Sequence, residues 1–186
     1  MGKRVLVPIA QGFEEIEALT VVDILRRAAV RVVLAAVGDS LNVVGRSNIT
    51  VTADTMIEEA LKDSPYDMLV LPGGLPNAHI LRDSPLVRRA IRDHSANGAL
   101  VGAICAAPLA LAEAGILAGQ IVTSHPGVRD QMPADGYSED RVVWSEHIVT
   151  SRAPGTAMEF AFSIVAHLLG EERAMEVNEG VLASLQ

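Results

Sequence analysis

A single cysteine, Cys105, is the residue of this chain best suited to covalent chemistry. It lies in the segment AICAAP, between a run that predicts a strand (ALVGAI, residues 99–104) and a run that predicts a helix. A side chain at such a strand-to-helix turn points out of the end of the sheet, where a nucleophile is presented to substrate. Free N–H groups at the start of the helix would lower the thiol pKa. Because cysteine is also among the most buried residue types, the segment alone supports a reactive thiol and an inert core thiol equally.

Two titratable side chains could move protons beside this thiol. Glu17 shares one stripe of a predicted helix with Asp23 and Arg27, and in an isolated helix such a stripe indicates a solvated face. Alternatively, Glu17 leans toward the thiol, where a neighbouring thiolate would raise the carboxyl pKa and make it a proton donor. His125 precedes a proline, which predicts an extended loop, and it could act as a general base only if it reached the thiol.

Backbone amides are the third candidate component of a site. The segment LPGG places Gly73 and Gly74 after a predicted strand, where their N–H groups could bind an oxyanion, although a plain turn is the commoner role. One cysteine cannot form a thiolate cage. The histidines other than His125 lack a second ligand at metal spacing, so no metal site is predicted; they are His79, His94, His147 and His167.

Apolar runs alternating with helical periodicity indicate how these groups are positioned. Continuous Val, Ile and Leu strands between helices predict a mostly parallel sheet sandwiched by helices, a doubly wound, flavodoxin-like α/β fold. Ligands bind outside the carboxyl ends of the strands in such folds. The segments expected to meet at that edge because each follows a predicted strand are QGFEEIE, LPGG, Cys105, SHPG and SRAPGT.

Other segments predict local features. Alternation in LNVVGRSNITVTAD indicates a hairpin or edge ribbon, and DRVVWSEHIVTS two strands joined near Ser145. Ser84 before Pro85 predicts a helix start. Capping boxes are predicted for two other helices, at Thr55 with Glu58 and at Thr156 with Glu159, and EERAMEVNEGVLASL predicts a final helix.

Composition excludes several classes of function. The 186 residues are enough for one domain, predicted to span 1–186, and no apolar run is long enough to cross a membrane. A net charge of −8 and 3% aromatic residues argue against nucleic-acid binding. One cysteine cannot form an internal disulfide, which is typical of a reducing, cytoplasmic setting.

Five segments together resemble one known family: GFEEIE, PYDMLVLPGG, AICAAP, TSHP and TSRAPGTAMEF, in that order. Over nearly its whole length the chain resembles the ThiJ/PfpI superfamily. Within it, the chain most closely resembles the branch of the Parkinson's-disease protein, or DJ-one deglycase, and its bacterial YajL-type relatives. The resemblance implies a flavodoxin-like homodimer. Family members are described as cofactor-free glyoxalases, deglycases of early glycation adducts and redox-responsive chaperones.

The resemblance also implies roles for particular residues. Cys105 would be the reactive, easily oxidised thiol, Glu17 the protonated carboxyl hydrogen-bonded to it and His125 the nearby histidine. Backbone groups around an oxyanion pocket would come from Gly73, Gly74 and Ala106.

Two departures from the superfamily narrow the activity. Ala106 stands where PfpI-type proteases carry a histidine, and Gly127 stands where glutamine amidotransferases carry a glutamate. A protease or glutaminase is therefore not expected. Some relatives bind anions with a hairpin arginine, but the register of Arg46 against Ser47 is ambiguous, so no role is assigned to Arg46, nor to Arg27.

The sequence thus predicts an enzyme without cofactor that acts on a small carbonyl such as methylglyoxal, or on its adduct with an amine or thiol. In this hypothesis the Cys105 thiolate attacks the carbonyl carbon and Glu17 or His125 moves protons, which would link the protein to protection from oxidative stress. The main alternative is a redox-sensing cysteine protein or chaperone with little catalysis. A weaker alternative is an inert binding module.

Overall fold

Eleven strands, described by a computed structural model of residues 2–184, alternate with the helices. In chain order they are Arg4–Ile9 (β1), Arg31–Ala36 (β2), Asn42–Val44 (β3), Thr50–Thr52 (β4), Thr55–Met56 (β5), Met68–Leu71 (β6), Leu100–Ile104 (β7), Ile121–Val122 (β8), Gly136–Tyr137 (β9), Val142–Ser145 (β10) and Ile148–Ser151 (β11). Seven of them form one sheet in the order β10-β11-β7-β6-β1-β2-β5. All neighbours are parallel except β10 and β11.

The sheet is doubly wound, as predicted. From β1 the chain moves outward to β2 and β5, then crosses back to β6 and continues outward on the other side. The winding direction therefore reverses between β1 and β6, which leaves a crevice outside the carboxyl ends of these two strands. The predicted hairpin is also confirmed, as the antiparallel pair β3 and β4.

Seven helices cover both faces of the sheet within residues 2–184. They are Glu15–Arg27 (α1), Ile57–Lys62 (α2), Leu75–Asp83 (α3), Pro85–Ala96 (α4), Pro108–Ala114 (α5), Ala157–Leu169 (α6) and Glu171–Val181 (α7). Because successive strand residues face opposite sides, β1 contributes to two cores. Val5, Val7 and Ile9 pack with α1, α6 and α7, whereas Leu6 packs with the helices on the other face. No helix in this part of the chain has the length and apolar composition of a membrane span.

One predicted strand lies outside the main sheet. Of the strand predicted before SHPG, only β8 forms, and it pairs with β9 alone. The free side of β11 is taken by the antiparallel strand β10, so no backbone ladder is left for β8. The N–H of Thr123 donates instead to the Thr150 side chain, with a distance of 2.9 Å.

Helix starts follow the sequence only in part. The Ser84 hydroxyl caps α4 as predicted, accepting the Val87 N–H at 3.4 Å. Both predicted capping boxes are wrong, because tertiary partners compete for the same groups: Thr55 belongs to β5, and the Glu159 carboxylate binds Arg141 at 2.5 Å. The last predicted helix ends at Val181, and its final predicted residue, Leu185, lies outside the described residues.

Candidate active site

Cys105 stands directly after β7 in a strained backbone conformation. Its φ of +65° lies in the left-handed region, which is uncommon for a residue other than glycine. Its N–H donates to the Ser151 carbonyl at 3.0 Å, and its carbonyl accepts the His125 N–H at 2.8 Å. With both backbone groups tied to neighbouring segments, the half-buried thiol is held at the end of the sheet. Strain of this kind costs about 1–3 kcal/mol and is typical of functional sites, so the predicted elbow is present.

Glu17 lies in the first turn of α1 and is fully buried. Its Oε2 accepts the Gly73 N–H at 2.7 Å, whereas its buried Oε1 has no hydrogen-bond partner of normal geometry within residues 2–184. The interpretation of this stripe as a solvated face is therefore wrong for Glu17. It holds for Asp23 and Arg27, which are exposed near the other end of the helix and bind each other at 2.9 Å.

The pKa values of Glu17 and Cys105 are both raised. Burial raises the pKa of Glu17 to about 7, against smaller opposing effects of the Cys105 thiol and the Gly73 N–H. Burial also raises the pKa of Cys105 to about 12, and the charge of Glu17 acts in the same direction. Hydrogen bonds from Gly74 and Ala106 N–H groups oppose this rise.

The two groups are therefore coupled. The low thiol pKa expected from the helix start is not found, because burial and the Glu17 carboxylate outweigh the N–H donors. When Glu17 holds the proton, its charge no longer opposes a thiolate. A reactive Cys105 thus depends on where one shared proton resides.

Three residues predicted to supply backbone N–H groups surround this pair. The backbone N–H groups of Gly74 and Ala106 act to lower the pKa of the Cys105 thiol, while the Gly73 N–H donates to Glu17 Oε2 at 2.7 Å. A Cβ at Gly73 would lie 2.6 Å from Glu17 Oε2 and 2.7 Å from Cys105 Cβ. Gly74 has a φ of +86°, and a Cβ there would overlap the backbone of Gly12 and Glu14. Only glycine fits these two positions. The absence of a Cβ there lets the loop after β6 pack directly against Cys105 and Glu17.

His125 is next to Cys105 through its backbone rather than its ring. The ring is exposed, and its Nδ1 accepts the Gly127 N–H at 3.1 Å, which caps the short helical turn Pro126–Gln131. Among the hydrogen bonds of residues 2–184, none joins this imidazole to Cys105 or Glu17. The structure therefore brings Glu17, Gly73, Gly74 and Ala106 to the thiol more directly than His125.

Glu15, the first residue of α1, is a second buried carboxyl near the site. Its Oε1 accepts the Ser47 N–H at 2.8 Å, which ties the β3–β4 hairpin to α1. Burial raises the pKa of Glu15, but N–H donors including Ser47 and Ile49 outweigh burial and lower it overall. In the same hairpin Arg46 is exposed, and its positive charge opposes, with a smaller effect, the rise that burial causes in the pKa of Glu17.

Asn77, in the first turn of α3, was not singled out from the sequence and is fully buried beside the site. Its Nδ2 donates to the carbonyls of Pro72 at 2.7 Å and Gly73 at 3.1 Å, and its Oδ1 accepts the Ala10 N–H at 2.7 Å. The only local signal was a polar amide soon after LPGG, at a position where a buried side chain was not expected.

The arrangement can perform nucleophilic and proton-transfer chemistry. It combines a thiol, a buried carboxyl whose pKa lies near neutrality and backbone N–H groups that favour the thiolate by lowering its pKa. Within the described residues, no cluster of three or more His, Cys, Asp or Glu side chains could hold a metal ion.

Comparisons with known proteins identify the family of the chain. A family model described as the DJ-1/PfpI family matches residues 3–167. The chain is 42% identical to the Parkinson disease protein 7 homolog of Danio rerio over 179 residues, 95% of each chain. It is 36% identical over 163 residues to the glutathione-independent glyoxalase DJR-1.2 of Caenorhabditis elegans, covering 86% of this chain and 85% of that protein. The solved structure of oxidized DJ-1 from Toxoplasma gondii superposes with a TM-score of 0.94 at 39% identity, covering 98% of this chain and 100% of that one.

Proposed function

The chain belongs to the DJ-1/PfpI family, as its motifs predicted, and we propose that it is a cysteine-dependent enzyme acting on reactive carbonyls without a cofactor. The observation that carries this proposal is the Cys105 elbow, with its thiol beside a buried carboxyl and two N–H donors. The relative named a glutathione-independent glyoxalase supports methylglyoxal, or an early glycation adduct, as the substrate. We take residues 1–186 to form one domain.

The proposed reaction begins with attack of the Cys105 sulfur on the aldehyde carbon of methylglyoxal. A C–S bond forms as the carbonyl π bond breaks and its electron pair moves to oxygen. The thiol proton passes to Glu17 and from there to that oxygen, which returns Glu17 to its carboxylate form. The N–H groups of Gly74 and Ala106 stabilise negative charge beside the sulfur. Because its pKa is about 7, Glu17 both accepts and donates protons near neutral pH.

The second half of the reaction is an internal redox step. Glu17 removes the proton from the former aldehyde carbon, giving an enediol-like state, and a proton returns to the neighbouring carbon. The product is a thioester of lactate, which water hydrolyses to lactate and free Cys105. The sum is methylglyoxal plus water giving lactate, so no external oxidant or reductant is needed. We assign proton transfer to Glu17 rather than His125, because Glu17 lies beside the thiol, whereas no hydrogen bond of residues 2–184 joins the imidazole to Cys105 or Glu17.

We expect purified, reduced protein to convert methylglyoxal to lactate in the absence of glutathione. Lactate would be measured enzymatically against a heat-unfolded sample, after intact mass has confirmed that Cys105 carries no added oxygen. No lactate above the uncatalysed level from folded, reduced protein would contradict the proposal. An assay with glycated amines would then show whether the substrate is an adduct instead.

A second candidate function is redox sensing, favoured by the N–H donors at the sulfur of this single cysteine. The same donors would bind the oxygens of a sulfinate. Mild peroxide followed by intact mass separates the candidates. A clean gain of two oxygens on Cys105 in a protein that turns over no carbonyl would favour the sensor.

We also propose that the chain acts as a homodimer. Four large apolar side chains are exposed on or near α1, at 56% for Ile16, 37% for Leu19, 53% for Ile49 and 36% for Met158. Leu19 and Met158 line one groove, and such an exposed apolar patch is typical of a protein interface.

The dimer gives a direct prediction. Wild type should sediment at twice the 19.7 kDa chain mass. Ile16→Glu should sediment as a monomer, because the free energy needed to bury an unpaired carboxylate exceeds what the apolar contact contributes to dimerisation. Ile121→Glu is the matched control, since Ile121 is 53% exposed but lies on β8. A monomeric wild type, or an Ile16→Glu variant that stays dimeric, would refute this face.

A further inference from the structure

The carboxamide of Asn77 lies at the crevice where the winding of the sheet reverses. β1 and β6 pair in register at Val5 with Met68 and at Leu6 with Leu69. Beyond the end of β1, the Ala10 N–H donates to Asn77 Oδ1 at 2.7 Å instead of to a backbone carbonyl of a neighbouring strand. The side-chain amide thus takes the place of a backbone rung between two diverging segments.

The other end of the same amide holds two consecutive peptides. Nδ2 donates to the carbonyls of Pro72 at 2.7 Å and Gly73 at 3.1 Å. These peptides are trans, so the N–H of each points away from its carbonyl. The two N–H groups belong to Gly73 and Gly74. The first donates to the Glu17 carboxyl at 2.7 Å, and the second acts to lower the pKa of the Cys105 thiol.

We infer that Asn77 is the positioning residue of the site: by holding two carbonyls on one side, it aims the two N–H donors on the other side at Glu17 and Cys105. A glycine backbone has wide conformational freedom, so these peptides need an external constraint. The Glu14 N–H supplies part of it, since it also donates to the Gly73 carbonyl at 3.0 Å. The Pro72 carbonyl receives its side-chain hydrogen bond from Asn77.

The chemistry requires a neutral amide at residue 77. One acceptor is needed for the Ala10 N–H and two donors for the carbonyls, and a carboxamide is the side chain that offers all three in one plane. The amide is fully buried, so water cannot replace these bonds without cost. The effect of Asn77 on turnover rests on the proposed function, whereas its effect on the thiol does not.

The test is the rate at which reduced Cys105 is alkylated by iodoacetamide across the neutral pH range, followed by intact mass. Both Asn77→Ala and Asn77→Leu remove the amide, and leucine keeps the side-chain volume. We expect alkylation at neutral pH to slow by roughly tenfold or more, because a hydrogen bond to a charged group is worth about that factor. The pH at which alkylation accelerates should move upward. In the wild type the N–H groups of Gly73 and Gly74 lower the pKa of Glu17 and Cys105, and the variants would lose this effect.

Tyr66→Phe is the matched control. Tyr66 is also buried, and its hydroxyl donates to the Ala60 carbonyl at 2.9 Å, at the start of β6 rather than at its carboxyl end. It should lower the melting temperature but leave the alkylation profile of wild type. A merely structural Asn77 would behave in the same way.

Alkylation that is unchanged or faster in the folded Asn77 variants would overturn the inference; if only one variant folds, that variant decides. Lactate formation is measured on the same proteins. If wild type forms no lactate but the alkylation shift is present, the proposed function fails and the role of Asn77 stands.

Discussion

Replacing Cys105 with alanine is expected to abolish carbonyl turnover, with kcat/KM reduced by at least about a thousandfold. The chain contains one cysteine, so no other thiol can take over the attack on the carbonyl carbon. Alanine adopts the φ of +65° with the same difficulty as cysteine, so the fold and the backbone strain should be little changed. Lactate formation from methylglyoxal is the measurement.

Two further variants separate chemistry from stability. Cys105→Ser keeps the size of the side chain but is a far weaker nucleophile, and it should also be inactive. Cys105→Gly relieves the left-handed strain, so we expect it to be inactive and to unfold with a free energy about 1 kcal/mol higher. An alanine variant that keeps more than about a tenth of the wild-type rate would exclude attack by Cys105.

The second large effect is expected for Glu17→Gln, which should reduce kcat by about 10²–10⁴-fold because it removes the group that carries protons. The ionisation of Glu17 near pH 7 should give the wild-type profile of kcat/KM a limb that rises as the carboxyl loses its proton. This limb should be absent in the glutamine variant. The pH profiles of both proteins provide the measurement, and a limb that persists in Glu17→Gln would assign it to another group.

The same substitution should stabilise the protein, and the sign follows from linkage. The pKa of Glu17 rises from 4.5 to about 7 on folding, so between these pH values the folded state binds more protons than the unfolded state. The free energy of unfolding of wild type therefore falls as pH rises through this window. Glutamine does not titrate, so the variant does not lose this stability. Above about pH 7 its free energy of unfolding should exceed that of wild type by on the order of 3 kcal/mol.

Urea unfolding of wild type and Glu17→Gln at acidic and at mildly alkaline pH checks this at constant protein concentration. The two proteins should agree in stability below about pH 4.5, diverge as the pH rises, and differ most above about pH 7. Glu58→Gln, an exposed carboxyl on α2, is the control and should show no such divergence. Equal stability of wild type and Glu17→Gln at alkaline pH would contradict the raised pKa of Glu17, because it would mean that folding does not disfavour the charged carboxylate.

Much of the architecture could be predicted because it depends on local pattern. Unbroken apolar strands between amphipathic helices specify a doubly wound sheet, and strand ends then place LPGG and Cys105 at one edge. The hairpin of β3 and β4 followed from alternation around Gly45. The strand at β8 could not be placed in the same way, because its exclusion from the sheet depends on β10 occupying the free side of β11.

The chemistry of the site was predictable only as a set of residue types. The sequence alone determined that the thiol follows a strand, that a carboxyl and a glycine turn precede it in the chain, and that the motifs match one family. Only the tertiary structure decided that Glu17 is buried rather than solvated, that the thiol pKa is raised rather than lowered, and that Asn77 holds the glycine peptides. These properties come from partners far apart in the chain, 56 residues between Glu17 and Gly73 and 67 between Ala10 and Asn77. Burial and hydrogen bonding between distant segments exist only once the sheet has assembled, so no local pattern could reveal them.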